Sequence, residues 1–245
     1  MNGRPGAAAD AGNGVLVAFS GIVKTYGMGD ATVHALRGID LVIRRGEFLA
    51  VMGPSGSGKS TCMNILGCLD TPTSGTYLFQ GIDVGALSRE GRALLRRHRL
   101  GFVFQGFNLL NQSSALENVE LPLIYRGLPS RERRLRAREA LEAVGLPDRQ
   151  SHTPGELSGG QQQRVAIARA MVIEPALLLA DEPTGNLDSG SSREIMELLT
   201  AFNEDRGITI VMVTHDGKMA AYANRTIHFL DGRIDSEVQN GDEST

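Results

Sequence analysis

The sequence predicts an α/β protein. Its core is a mainly parallel sheet carrying a phosphate loop, with an antiparallel β subdomain at the N-terminal side and a helical subdomain inserted in the middle. Three observations lead there. Continuous apolar runs at 48–52, 176–180 and 208–213 have the length and composition of strands buried on both faces. Helical patterns at 59–69, 161–173 and 191–203 alternate with them, as in a parallel sheet with crossover helices. Gly53-Pro54-Ser55-Gly56-Ser57-Gly58-Lys59-Ser60 then fits G-x-x-x-x-G-K-[ST], between the first buried run and the first helix.

The elements follow in order. Residues 1–14 are rich in Gly, Ala and Asn, lack the apolar run of a signal peptide, and read as a flexible tail. Segments 15–19, 32–36 and 39–43 alternate with turn residues and predict antiparallel strands. On the helix at 59–69, Ile65, Leu66 and Leu69 form the expected apolar stripe. Cys62 and Cys68 lie on the same predicted helix, about 120° apart, so they are expected as reduced, partly buried thiols rather than a bridge. Residues 87–156 read as the helical insertion. Within it, 131–144 places Ala137, Ala140, Leu141 and Val144 on one face. Pro175 stops the helix at 161–173. Segments 226–230 and 233–235 predict a final hairpin turning at Asp231-Gly232. Residues 236–245 read as an acidic flexible tail, which leaves 15–235 as the folded domain.

Composition narrows the function. The 245 residues are 41% hydrophobic and 22% charged, which is ordinary for a globular protein. The formal charge of -3 gives no reason to expect nucleic acid as a partner. That charge is uneven. Residues 89–138 carry eleven arginines and four glutamates, about +7, leaving about -10 elsewhere. This is either a solvated helical face or a surface meeting anionic lipid or an acidic partner. No segment has the ~18 apolar residues of a membrane span, so any spanning part is expected on another chain.

The chemistry-bearing residues sit at the ends of the predicted strands. The glycines of 53–58 let backbone N–H groups face phosphates, Lys59 reaches the terminal ones, and Ser60 can ligate Mg²⁺. Asp181 and Glu182 close an apolar strand; Asp181 is placed to hold Mg²⁺ and Glu182 to polarise an attacking water. His215 follows another strand and should share their rim, within reach of a γ-phosphate. Gln105 ends the short strand 101–104, where its amide could touch Mg²⁺ or the water. Tyr26 offers a flat ring for adenine. Finally, Leu157-Ser158-Gly159-Gly160-Gln161 opens a helix behind two glycines and forms a second place to hold an anion. Two phosphate devices roughly 100 residues apart suggest that neither is complete alone.

Gly53–Ser60, Gln105, Leu157–Gln161, Leu179–Glu182, Asn186-Leu187-Asp188 and His215 stand in the order of an ABC transporter ATP-binding cassette, which the chain resembles over residues 15–235. Segments 67–75, 101–110, 117–123 and 180–188 further resemble the subfamily of macrolide export, lipoprotein release and antimicrobial-peptide export. The resemblance implies an Mg²⁺-dependent ATPase, a translocase subunit peripheral on the cytoplasmic face of the inner membrane. It implies a head-to-tail homodimer with ATP between Lys59 of one copy and Ser158–Gly160 of the other. Thr61, Gln161 and Asp188 join the nucleotide-binding set on the same ground. It also implies a separate permease with an extracytoplasmic domain, whose cytoplasmic helix enters a groove around 105–123 with Phe107, Leu109 and Leu110 as apolar anchors. Export or mechanical release of a lipoprotein, peptide or drug-like substrate follows. The alternative is a non-transport ABC ATPase acting on nucleic acid or the ribosome. Such proteins carry coiled coils, zinc modules or paired cassettes, and none is visible in this chain.

Overall fold

Two long strands open the computed structural model, which describes residues 14–27 and 31–240. They are β1 (Val15–Tyr26) and β2 (Val33–Arg44), paired antiparallel with register shifts on either side of Ile22. The two segments expected at 32–36 and 39–43 are thus one continuous strand. β3 (Phe48–Met52) leads through the glycine loop into α1 (Lys59–Leu66). The helix ends earlier than expected: Leu69 lies beyond it and is 55% exposed, so it is no part of the apolar stripe. Cys68 also lies past the helix, at φ 53, and both cysteines are free and buried. A hairpin outside the sequence reading follows, β4 (Ser74–Phe79) and β5 (Ile82–Asp83). It completes a four-stranded sheet in the order β2-β1-β4-β5.

Next come α2 (Arg89–Arg99), β6 (Leu100–Phe104), α3 (Ala115–Tyr125) and α4 (Ser130–Ala143). β6 pairs in parallel with the strand at 177–181, so the main sheet passes through the segment expected as a helical insertion. The purely helical part starts only after residue 104. Ser114 caps α3 through a reciprocal bond with Glu117, and Ala137 and Leu141 bury the inner face of α4. α5 (Gly159–Met171) is followed by β7 (Leu177–Asp181), α6 (Ser189–Arg206), β8 (Thr209–Val213), α7 (Gly217–Ala220), β9 (Arg225–Leu230) and β10 (Arg233–Gln239). β10 runs through residues 236–239, which the sequence suggested as tail; paired with β9, they are strand. Residues 1–13 and 241–245, the remainder of the expected tails, lie outside the described residues.

The six-stranded sheet has the order β10-β9-β3-β8-β7-β6, parallel from β9 to β6. One core lies between the two sheets and includes Ile65 and Leu66 of α1 with Phe19, Tyr77 and Phe79. The other lies on the opposite face, where Val119, Leu141, Val165, Ile195 and Leu199 cover the sheet with α3 to α6. Both faces of β3, β7 and β8 are therefore covered, which explains their unbroken apolar sequences. Covered faces leave the strand ends as the place for polar chemistry.

Candidate functional site

Register sets the rim. Val51 pairs with Val213, Val213 with Asp181, and Asp181 with Phe104. The ends of β3, β8, β7 and β6 are level, and each is followed directly by candidate residues: the phosphate loop, Thr214-His215, Glu182 and Gln105. Two backbone bonds extend the order past the strands, Glu182 N–H to the Val213 carbonyl (2.9 Å) and Thr214 N–H to the Val51 carbonyl (3.2 Å).

The loop after β3 depends on glycine. Gly53 has φ 144, and an added Cβ would collide with the Phe229 carbonyl of β9. Gly56 has φ 79 with open space around it. Gly58 takes the N-cap position of α1 in a left-handed conformation with no side-chain cap, which leaves the first-turn N–H groups, those of Ser60 and Thr61 included, to an anion. The Lys59 ammonium donates to the Gly53 and Pro54 carbonyls (2.7 and 2.8 Å) and so lies folded over the loop. Ser57 Oγ is buried without a hydrogen-bond partner, as expected of a cradle whose polar atoms are directed to a ligand.

Beside the loop, Glu182 sits at φ 49, and its Oε1 is 2.8 Å from His215 Nδ1. That hydrogen bond and the carboxylate charge hold the His215 imidazole above its ordinary pKa. Burial, then the neighbouring Glu182 charge, raise the Asp181 carboxyl above its usual value, with Lys59 acting in the opposite direction. Gln105 is placed differently. Its amide donates to Asn186 Oδ1 (3.2 Å), and Asn186 returns a bond to the Gln105 carbonyl (3.0 Å). The glutamine side chain therefore meets the loop after β7, not Ser60 or Asp181. Tyr26 is 41% exposed, with its hydroxyl anchored on Asp70 Oδ2 (2.7 Å) and the Lys24 ammonium 4.8 Å from its ring centre. Lys24 also pairs with Asp70 (2.6 Å). Neither partner stood out in the sequence.

The second anion device has other neighbours. Ser158 is the N-cap of α5, and its reciprocal bonds with Gln161 consume the Gln161 N–H and side chain. The N–H groups of Gly159 and Gly160 in the first turn have no intrahelical acceptor. An added Cβ at Gly159 would meet Leu187 (3.3 Å), and one at Gly160 would meet Ser191 (3.1 Å). The phosphate loop touches Phe229, Ala35 and Gly232 instead. The surroundings of the glycines in the two devices thus differ. Asp188, expected to contact nucleotide, caps α6, with Oδ1 accepting from Gly190 and Ser191 N–H and Oδ2 from Ser191 Oγ.

Two residues absent from the sequence reading join α5 to the rim. Gln163, fully buried, donates to the Pro183 carbonyl just after Glu182 (2.6 Å). Arg169 donates to the Asn108 and Phe107 carbonyls (2.5 and 2.8 Å), both at left-handed residues. Their one sequence signal was position on the helix that Ser158 opens. Next to this helix lies an apolar groove of about 620 Å³, walled by Phe102, Phe104, Leu121, Pro122 and Tyr125 with Arg96, Arg97 and Arg169. Phe107, Leu109 and Leu110, the expected anchors, do not line it: Phe107 turns toward Gly159 and Leu110 toward solvent.

The ABC transporter family profile matches residues 36–185. The chain is 52% identical over 226 residues to a macrolide export ATP-binding/permease protein MacB 1/2 of Paracoccus denitrificans, covering 92% of this chain but 34% of that protein. It thus spans about a third of that relative. It is 53% identical to the ABC transporter ATP-binding protein YknY of Bacillus subtilis, covering 89% of this chain and 95% of that one. Among solved structures, the dimeric post-hydrolysis state of the cassette MJ0796, bound to ADP and Pi, superposes with a TM-score of 0.84 at 46% identity, covering 92% of this chain and 99% of that one. cbiO1 of Clostridium perfringens, part of the transporter complex cbiONQ, gives 0.83 at 34% identity, covering 93% and 90%.

Proposed function

The chain belongs to the ABC transporter family, and from that premise we propose that it is an Mg²⁺-dependent ATPase, working as a head-to-tail pair and driving a separate membrane permease from the cytoplasmic face. The observation that carries the reading is the separation of its two anion devices. The phosphate-loop glycines face β9 and β2 while those opening α5 face the loop after β7 and α6, and a head-to-tail pair would bring the α5 start of one copy to the nucleotide on the other.

The roles follow from the geometry. Loop N–H groups and Lys59 hold the β- and γ-phosphates, and the Tyr26 ring, fixed through Asp70, stacks on adenine. Among the described residues no group of three or more His, Cys, Asp or Glu is placed to hold a metal. Ser60 and Asp181 offer two hard oxygens, which suits Mg²⁺, an ion that completes its shell with phosphate oxygens and water. The ion would neutralise phosphate charge. Gln105, held by Asn186, joins only if the loop after β6 moves. Glu182 accepts the proton of the attacking water as its oxygen bonds to the γ-phosphorus and the bond to ADP breaks. His215 holds the carboxylate in place and, protonated, faces the departing phosphate. The Gly159 and Gly160 N–H groups of the second copy bind the γ-phosphate, which ADP lacks, so closure depends on ATP.

The apolar groove beside β6 suits a helix of the permease, with Phe102, Phe104, Leu121 and Tyr125 as its walls. The relatives' names favour export of a macrolide-like compound as the work performed. No helix among the described residues is long and apolar enough to cross a membrane, which fits a peripheral subunit.

The test is Glu182→Gln. It should keep ATP binding, lower turnover by roughly 10²–10⁴, and accumulate an ATP-bound dimer visible by light scattering. Near-normal turnover would remove Glu182 from the mechanism. Gly159→Asp places a carboxylate against phosphate and should abolish that dimer while each monomer still binds nucleotide; an undiminished dimer would rule out the shared site.

A further inference from the structure

The arginine excess of residues 89–138 plays no part in ATP chemistry, and the structure divides it into two sets. Six of the eleven arginines have acceptors within the chain. Arg92 and Arg96 donate to the Leu87 and Cys68 carbonyls (2.6 Å each), and Arg126 donates to those of Arg97, His98 and Ile173 (3.0, 3.0 and 2.9 Å). Arg133 and Arg134 pair with Glu120 (3.5 and 3.6 Å), and Arg136 with Glu132 (2.7 Å). Arg89, Arg97, Arg99, Arg131 and Arg138 are exposed and have no acceptor among the described residues.

Four of these five gather with apolar side chains at one end of the helical part. α3 and α4 form a hairpin, and Ile124, Tyr125 and Leu135 stand out near its tip at 48%, 68% and 57% exposure. Arg131 and Arg138 share the outer face of α4 with Leu135, at helical spacings of four, three and seven. Arg126 bolts the tip to the end of α2, which brings in Arg97 and Arg99. His98 reports this convergence: burial first, then the charges of Arg126, Arg97 and Arg99, lower its pKa. Of the acidic groups nearby, Glu120 and Glu132 are already paired, Glu174 faces Arg126, Glu117 lies near Arg134, and Glu139 and Glu142 follow Arg138 on α4.

We propose that the α3–α4 hairpin tip, with the end of α2, is a docking surface for anionic phospholipid headgroups. A bilayer interface accepts both features of the tip together: aromatic and aliphatic side chains at headgroup depth, and arginines on lipid phosphates. Arg131, Leu135 and Arg138 also line a depression on the outer face of α4; the exposed Ile124, Tyr125 and Leu135 beside the arginines favour a bilayer interface over an acidic peptide, which would leave them in water. The tip also continues from the apolar groove, whose walls include Arg97 and Tyr125. If a permease helix fills that groove, the adjoining tip faces the membrane; this orientation rests on the permease reading. Docking there leaves pairing free. The tip is bonded to Ile173, beyond the C-terminal end of α5, and the Ser158 end of that helix lies roughly 18 Å away.

The experiment is sedimentation of the purified chain with vesicles of phosphatidylcholine, with and without phosphatidylglycerol, at rising salt. The chain should bind only the anionic vesicles and lose binding as salt rises. The variant Arg99→Gln/Arg131→Gln/Arg138→Gln should bind at least about tenfold more weakly, given roughly fivefold per basic residue at a membrane surface. Ile124→Ser/Leu135→Ser should weaken binding with all charges kept. Each variant should melt like the parent and hydrolyse ATP at the parent rate. Failure to sediment, equal sedimentation with neutral vesicles, or an unchanged triple variant overturns the lipid surface. So does capture of the chain by a polyglutamate resin in place of vesicles. Vesicle binding without any ATP hydrolysis overturns the ATPase reading instead, so the two proposals fail separately.

Discussion

Gly53→Ala and Gly56→Ala are the same chemical change in the same loop, yet the structure predicts different costs. At Gly56, φ is 79 and no atom lies within 4 Å of the added methyl, so the cost is backbone strain alone. A left-handed alanine costs about 1–2 kcal/mol. At Gly53, φ is 144, in a region essentially reserved for glycine, and the methyl is driven into the Phe229 carbonyl with Ser57 Oγ 2.9 Å away. Strain of about 1–3 kcal/mol then adds to overpacking of about 1–3 kcal/mol. The obstacle is backbone of β9, next to β3 in the sheet, and cannot swing aside as a side chain would. For a domain of this size each kcal/mol moves Tm by about 2–4 °C. Gly56→Ala should therefore lower Tm by about 2–8 °C and Gly53→Ala, at the middle of its range, about 4 kcal/mol, by about 8–16 °C, read by calorimetry without nucleotide. Nucleotide titration should show a larger affinity loss for Gly53→Ala, because the loop must leave its strand to fit the methyl. Equal Tm losses would refute the argument, since they would mean that the Phe229 contact costs nothing.

Three further outcomes follow from the same coordinates. The His215 pKa, followed by NMR, should lie above the ordinary histidine value and fall toward it in Glu182→Gln, which keeps an acceptor and removes the charge. Because the folded value is raised, the pair's stabilisation is complete below the unfolded value of 6.5 and is lost as pH rises through the folded one; an unshifted titration in the variant would contradict this. Burial pushes the Cys62 and Cys68 thiols up to about 12 and about 11, so iodoacetamide should label neither in the folded chain and both once it is unfolded. Arg126→Ala removes three bonds to carbonyls and should destabilise by about 2 kcal/mol; Arg126→Lys should recover little of it, since a point donor cannot span the ends of α2 and α5, and full recovery would argue against the fork.

What was legible in the sequence had a local cause. A strand buried on both faces must be apolar throughout, so β3, β7 and β8 were visible as runs, and the groups at their ends could be assigned to one rim. The glycine loop and the Ser158 cap were visible because their backbone demands particular residues at particular spacing. The misses have non-local causes. β4 and β5 are short; β4 takes its strand identity from pairing with β1, some 60 residues earlier at Leu78 and Phe79, and β5 from pairing with β4. β6 was seen as a strand, but its place in the main sheet was not, since only pairing with β7 puts it there. Leu69 continued the helical pattern of α1, yet α1 stops at Gly67, and the side chain faces the groove. The anchor of Tyr26 on Asp70 joins residues 44 apart and leaves no periodic trace.

The arrangement of the rim also decides which residues can act together. Along the chain the order is phosphate loop, Gln105, Glu182, His215. Across the sheet it is phosphate loop, His215, Glu182, Gln105, because β8 inserts between β3 and β7. That insertion lets His215 and Glu182, 33 residues apart, meet at 2.8 Å. It also places His215 beside β3, the strand that leads into the Lys59 loop, with Glu182 one strand further. β6 lies three strands from β3, roughly 14 Å at the usual spacing, so a glutamine at its end cannot reach the loop while β6 keeps its place. Its amide is held by Asn186 instead, beside the same loop that ends in the Asp188 cap and packs Leu187 against Gly159. Gln105 therefore stands closer to the Ser158 end of α5 than to its own phosphate loop. Arg169, reaching from the helix of that device to the Phe107 and Asn108 carbonyls, ties the same segment from the other side. A force applied in the groove beside β6 would reach the Ser158 end of α5 through these contacts before it reached Lys59.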